Sequence, residues 1–330
     1  NNTAVGFRAM DKNTTGTNNV GIGHDSMRCT TTGGSNTALG VCSLYTNVSG
    51  GANIAIGLNA LRLNTASNNL AVGHCAMHDN SSGTENTAFG FVALNKNTTG
   101  DLNTALGRGA LCSNTTSDNN TAVGTFALAA NTTGHSNVAV GKSALAANVT
   151  YTCNTAVGFE SLTSNTSAAN NTAVGYKSLN LNTTGAENVA VGSNALVSNT
   201  TGTENVAVGK GALDSNTTAG CNTSIGSGSM GDNSTGANNT AVGRSALGSN
   251  TTGSSNVAFG RNSLTLNTTA GGNTATGAFS LNANTTGGCN TGLGWQALTA
   301  NTTASNNTAV GSLALLANTT GIRNTAVGNQ

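Results

Sequence analysis

The pentad Asn-Thr-Ala-Val-Gly, or a close variant, recurs along the whole chain. It ends at Gly6, Gly23, Gly40 and Gly57, then at Gly73, Gly90 and every seventeenth position onward to Gly311 and Gly328. One step, from Gly57 to Gly73, is a single residue shorter than the rest, because the usual Asn-Thr-Thr-Gly linker is cut to Asn64-Thr65-Ala66-Ser67. A fixed period constrains a chain more than composition does, because each unit buries its apolar face only by stacking on its neighbours. Residues 1–330 are therefore a single continuous repeat array of about nineteen 17-residue coils with one 16-residue unit, 58–73, and no separate domains.

Such a unit is too short for the helix pairs of helical solenoids, and two glycines per unit with β-branched residues between them suit a β-coil. The expected fold is all-β, a parallel β-solenoid (β-roll) with one coil per unit. Rungs about 4.8 Å apart would then make a rod roughly 90 Å long. Composition agrees. The chain has no proline, 7% charged residues and 3% aromatic residues, which is unlike an ordinary globular enzyme. Its net charge of +1 and 36% hydrophobic content are unlike a disordered chain. No apolar run is long enough for a membrane span, and no basic run points to nucleic acid. Beginning at Asn1 without Met or a signal peptide, the chain reads as a processed product or a fragment of something longer.

Aligned units become columns. The residue four after each pentad Gly is Leu or Met, as at Leu44, Leu145 and Leu298, and is read as core. The residue just before the Gly, as at Val123 and Val310, is read as a second core column. Neighbours on a strand face opposite ways, so the Ala between Thr and Val should point outward, and an outward column confined to small residues implies a packed partner surface. The Ala or Ser three after Gly suggests a second line of close approach. The competing explanation is a coil too narrow for larger side chains. Uniform columns also reflect recent duplication, since Cys153, Cys221 and Cys289 recur at every fourth coil. Two Asn columns, one opening the pentad (Asn36, Asn86, Asn171, Asn307) and one opening the linker, suit stacked amide ladders at solenoid corners, where Asn tolerates αL geometry. Gly supplies positive φ for the second corner.

The string Asn-Thr-Ala-Val-Gly-x-x-Ala-Leu resembles the head repeat of YadA-like trimeric autotransporter adhesins, which reads roughly Ser-x-Ala-Ile-Gly-x-x-Ala-x-Ala. It is also similar to repeats of phage tail fibres and other extracellular fibres. The resemblance implies three parallel left-handed β-rolls about a threefold axis, hence a homotrimeric rod, and an extracellular setting as a cell-surface appendage, secreted fibre or virion fibre. The chain departs from the adhesin pattern in its longer period and in showing no neck, stalk or anchor. The expected partner is another copy of the chain, as a homo-oligomer with a trimer favoured or an end-to-end filament.

No catalytic, metal or cofactor constellation is expected. The four His are scattered, the seven Cys show no CxxC spacing, and the glycines lack the strand-to-helix context and lysine of a phosphate loop. Cys42 and Cys75 share a column two rungs apart, which is too far for a disulfide. Diversity concentrates one and two residues after each pentad Gly. There Phe7, Arg8, Phe91, Phe159, Tyr176, Lys177, Arg261 and Trp295 form a candidate ligand strip, weighed against an unconstrained solvent face. Linker sequons at Asn13, Asn47, Asn80, Asn97, Asn114, Asn131, Asn182, Asn199, Asn250 and Asn318 are candidate N-glycosylation sites, although a column of acceptors about 4.8 Å apart is tight for glycans. The preferred function is a structural, non-catalytic fibre segment, favoured by an array that stops mid-unit with no capping unit. The alternative is an adhesin using the variable strip. Ice binding is less favoured, because the paired Thr lie in a turn.

Overall fold

The computed structural model describes residues 1–329 and contains 20 three-residue strands and no helix among them. The chain is a parallel β-solenoid with one strand per coil. It forms two compact units, Asn1–Ala169 and Asn170–Gln330. The first holds β1 (Thr3–Val5) to β10 (Thr155–Val157), and the second β11 (Thr172–Val174) to β20 (Thr325–Val327).

Within each unit every strand pairs in parallel with the next in sequence, in the register that the repeat dictates. Ala105 lies beside Ala122 in the first unit, and Ala190 beside Ala207 in the second. The 16-residue unit changes nothing in the sheet, because Ile54 still pairs with Leu70. The missing residue is taken up at the corner before the strand, where the Asn64 Nδ2 donates to the Ala66 carbonyl two positions on. In a normal coil this bond reaches one position further, as from Asn97 to Gly100.

Strands stop after three residues because the pentad Gly adopts a backbone that other residues avoid. Gly107 has φ 133°, and a Cβ there would lie 2.7 Å from the Gly124 carbonyl of the next coil. The bend that follows carries two left-handed residues, two and four after Gly. The second is the Leu or Met column, as at Leu145 (φ 52°). A β-branched residue is disfavoured in that region, in keeping with the absence of Val and Ile from the column, although Val92 adopts it two after Gly90 (φ 50°). The bends stack too, since the Leu94 amide donates to the Ala110 carbonyl and the Thr98 amide to the Thr115 carbonyl.

The Leu column is core as expected: Leu44, Leu145 and Leu298 are fully buried. Each such side chain contributes roughly 1.5–3 kcal/mol. The strand faces are reversed from expectation. Ala88 and Ala258 are completely buried, whereas Phe89 and Phe259 beside them are 56% and 55% exposed. Val123 and Val310 are only half-buried, so the column before the pentad Gly is not core. The Ala or Ser three after Gly also points inward, as Ala93 and Ser178 do. So short a coil leaves an interior a few atoms wide, already filled by Leu and two Asn, and only small residues fit the remaining inward positions. The narrow-coil explanation therefore holds, and the Ala column is no evidence for a partner.

The Asn columns are interior as well. Asn36, Asn86, Asn171 and Asn307 are buried. Asn86 donates from Nδ2 to the Asn69 Oδ1 and the Gly100 carbonyl, and its own Oδ1 accepts the Asn103 amide at 2.9 Å. Positive φ falls on the residue preceding this column, as at Glu85, and not on the Asn itself. An inward amide satisfies buried backbone at every corner, a duty that no apolar side chain can perform.

Candidate functional site

Three surfaces follow from this geometry. The first is the outward strand face. Its two columns are the residue opening each strand (Thr121, Val138, Thr155 and their equivalents) and the residue closing it. The closing residue is apolar in every strand except β17, which ends in Thr276. Ile22, Leu39, Phe89, Leu106, Ile225, Phe259 and Leu293 are all well exposed. Contiguous exposed apolar surface of this kind marks an interaction site more often than isolated residues do. A signal for it exists in the sequence. The closing column accepts Phe89, Phe259 and Thr276, a range of size and polarity that an interior column would reject, while the Ala column admits only small residues.

The second surface is the ridge that follows each strand, where the candidate ligand strip lies. Phe7, Arg8, Phe91, Phe159, Tyr176, Arg261 and Trp295 are exposed and Lys177 is half-buried. The coils bring several of these into stacked series. His74 stacks on Phe91 at 5.3 Å, and Arg108 sits over both Phe91 (6.0 Å) and Phe126 (5.5 Å). Lys142 lies over Phe159 at 5.5 Å in the same unit. Further along the bend Arg28 and Arg62 flank the Tyr45 ring at 5.8 and 5.5 Å. His74, Arg108 and Phe126 occupy the same positions after the pentad Gly as the named strip residues and join their ladders, whereas Tyr45, five after Gly40, lies outside those positions. Burial works against the Arg28 charge, but Tyr45, Asp25 and Asp11 outweigh it and hold the guanidinium above its ordinary value.

The third surface is the linker corner, where the candidate glycosylation residues turn their amides into the coil. Asn47, Asn80, Asn97, Asn114, Asn131, Asn182, Asn199 and Asn250 are fully buried, and Asn13 and Asn318 are half-buried. Their Nδ2 atoms are spent. Asn97 donates to the Asn80 Oδ1 at 2.7 Å and the Gly100 carbonyl at 2.9 Å. Asn250 repeats this on Asn233 and Gly253, and Asn318 on Asn301 and Gly321. Asn13, Asn47 and Asn182 donate to the carbonyls of Gly16, Gly50 and Gly185. In the bonded stretch a sugar on that nitrogen would break the ladder and has no space inside the coil, whereas Asn13 and Asn47 donate only to the carbonyl of their own turn. Linker Thr hydroxyls are likewise engaged, as when Thr98 Oγ1 donates to the Thr115 carbonyl.

No group of three or more His, Cys, Asp or Glu among the described residues is arranged to hold a metal. All seven cysteines are free thiols, and Cys153, Cys221 and Cys289 are exposed. A cavity of about 390 Å³ in the second unit is lined by Leu313, Leu315, Leu316, Ala317 and Ala326 and presents no polar side chain. No protein-family model matches the chain, and no curated protein matches it.

Proposed function

We propose that the chain is a structural repeat segment of an extracellular fibre, self-associated along its outward strand face and without catalytic activity. The observation that carries this reading is that face, two β-branched or apolar columns repeated on every rung. Covering it with another copy is the simplest way to remove it from water, and closed homo-oligomers are the usual form of such assemblies. The resemblance to trimeric fibre repeats favours three copies and an extracellular setting. Electron microscopy with sedimentation velocity tests the proposal. Multimeric fibres are expected, and a chain that stays monomeric at high concentration overturns the reading. Replacing Val174, Val191, Val208 and Val242 with Ser should give a folded monomer.

A second reading, an adhesin, is favoured by the ridge of exposed cations and aromatic rings from His74 to Phe159. Saturable attachment to glycans or cell surfaces, lost when ridge residues become Ser, would support it.

A further inference from the structure

The strand face has two borders, and their charges differ. The border preceding each strand comprises the two residues before the buried pentad Asn. In the first unit it carries Glu85, Asp101 and Asp118 and no Lys or Arg; in the second, Glu187 and Glu204 against Arg323. The border following each strand comprises the two residues after the pentad Gly. In the first unit it carries Arg8, Arg108 and Lys142 against Asp25 and Glu160, and Asp25 is itself 3.8 Å from Arg28. In the second it carries Lys177, Lys210, Arg244 and Arg261 and no acid among the described residues. Within each unit, acids and cations are thus sorted to opposite sides of the apolar face.

We propose that these borders form the electrostatic rim of a self-interface, in which the acidic border of one copy lies against the cation-bearing border of the next. The proposal rests on the self-association reading above. Its logic is symmetry. When copies are related by an axis parallel to the direction of stacking, twofold or threefold, the border preceding the strand in one copy meets the border following it in its neighbour. When two copies meet face to face and antiparallel, each border meets its own kind, acid on acid and cation on cation. Only the first arrangement pairs opposite charges, so the rim selects parallel association. An apolar centre with a charged rim is ordinary interface anatomy, and rim charges set orientation and partner choice more than affinity.

The test uses the full chain in three forms, followed by sedimentation velocity, with circular dichroism confirming the fold. The first is the native chain. The second carries Glu85→Lys, Glu187→Lys and Glu204→Lys, three exposed positions that spare Asp101 and Asp118, whose carboxylates cap backbone amides. The third adds Lys210→Glu, Arg244→Glu and Arg261→Glu, which returns the two borders of the second unit to opposite charge and leaves the first unit as in the second form. Association should weaken about ten-fold or more in the second form and recover in the third. An unchanged second form, or a third form that stays dissociated, overturns the rim. A monomeric native chain overturns the self-association reading and the rim with it, so the two failures are distinguishable. Should the variants misfold, salt decides. Native association should weaken as ionic strength rises, whereas insensitivity or strengthening, as like-charge borders would give, overturns the proposal.

Discussion

In the first unit, the linker Asn column is bonded from rung to rung between Asn64 and Asn165 but interrupted between Asn13 and Asn64. Asn80 donates to the Asn64 Oδ1, Asn97 to Asn80, Asn114 to Asn97, and so on to Asn165. In the earlier stretch the buried Oδ1 atoms of Asn13 and Asn47 have no hydrogen-bond partner, and neither does the Thr30 Oγ1 between them. Each gap has a visible cause. Thr30 has no amide to donate to Asn13, and in the 16-residue coil the Asn64 Nδ2 donates to the Ala66 carbonyl instead of to Asn47. A column of identical residues acts as one hydrogen-bonded chain, and a single departure leaves orphans on the neighbouring rung.

The comparison can be broken in the intact stretch. Asn97→Ala should destabilise the coil by about 2–4 kcal/mol, because the Asn80 Oδ1 loses its donor and the Asn114 amide one acceptor. Asn13→Ala, at a site whose Oδ1 is already without a partner, should cost clearly less, and urea midpoints of the two variants measure the difference. Repair should sharpen the contrast. Thr30→Asn is expected to stabilise by about 1–2 kcal/mol by giving Asn13 a donor and removing a buried hydroxyl without a partner. Inserting a glycine between Ala66 and Ser67 restores the full-length coil and should gain under about 1 kcal/mol, read the same way.

Smaller effects belong to the surface. Val191→Ser should shift the midpoint of the isolated chain by no more than about 0.5 kcal/mol, while Ala190→Val, inside the same strand, should cost about 1–3 kcal/mol by overpacking. The smallest expected effect concerns Asp214. Partial burial, reinforced by Asp232, raises its pKa above the ordinary carboxylate value. The folded chain therefore binds this proton before the unfolded chain does, and stability should rise slightly as pH falls through the raised value toward the ordinary one. Asp214→Asn should abolish that increment.

Period, register, the Leu column and the stacking of both Asn columns are legible from the repeat alone, because a fixed period admits one stacking and Leu has no other place to go. The orientation of the strand is not, and Val123 and Val310 face the other way from the sequence expectation. Alternation shows that Ala and Val point opposite ways but not which way is in, and the larger apolar residue is the natural candidate for core. The sequons are ambiguous for a related reason: Asn-x-Thr is the acceptor motif whether the amide faces water or a neighbouring rung. Ladder pairs such as Arg108 with Phe91 stand one full coil apart in sequence and emerge only when coils are superposed.

The sequence by itself therefore determined the architecture of this protein. Repetition specifies which residues become neighbours, and local chemistry at Gly, Leu and Asn specifies how each corner turns. The tertiary structure decided the orientation of the coil, placing Ala inside and Val outside. The width of the interior depends on the whole closed coil, and that width, not hydrophobicity, selects which side chains are enclosed. The same closure turns the linker Asn amides inward and, within each unit, gathers acids and cations onto opposite borders of the apolar face.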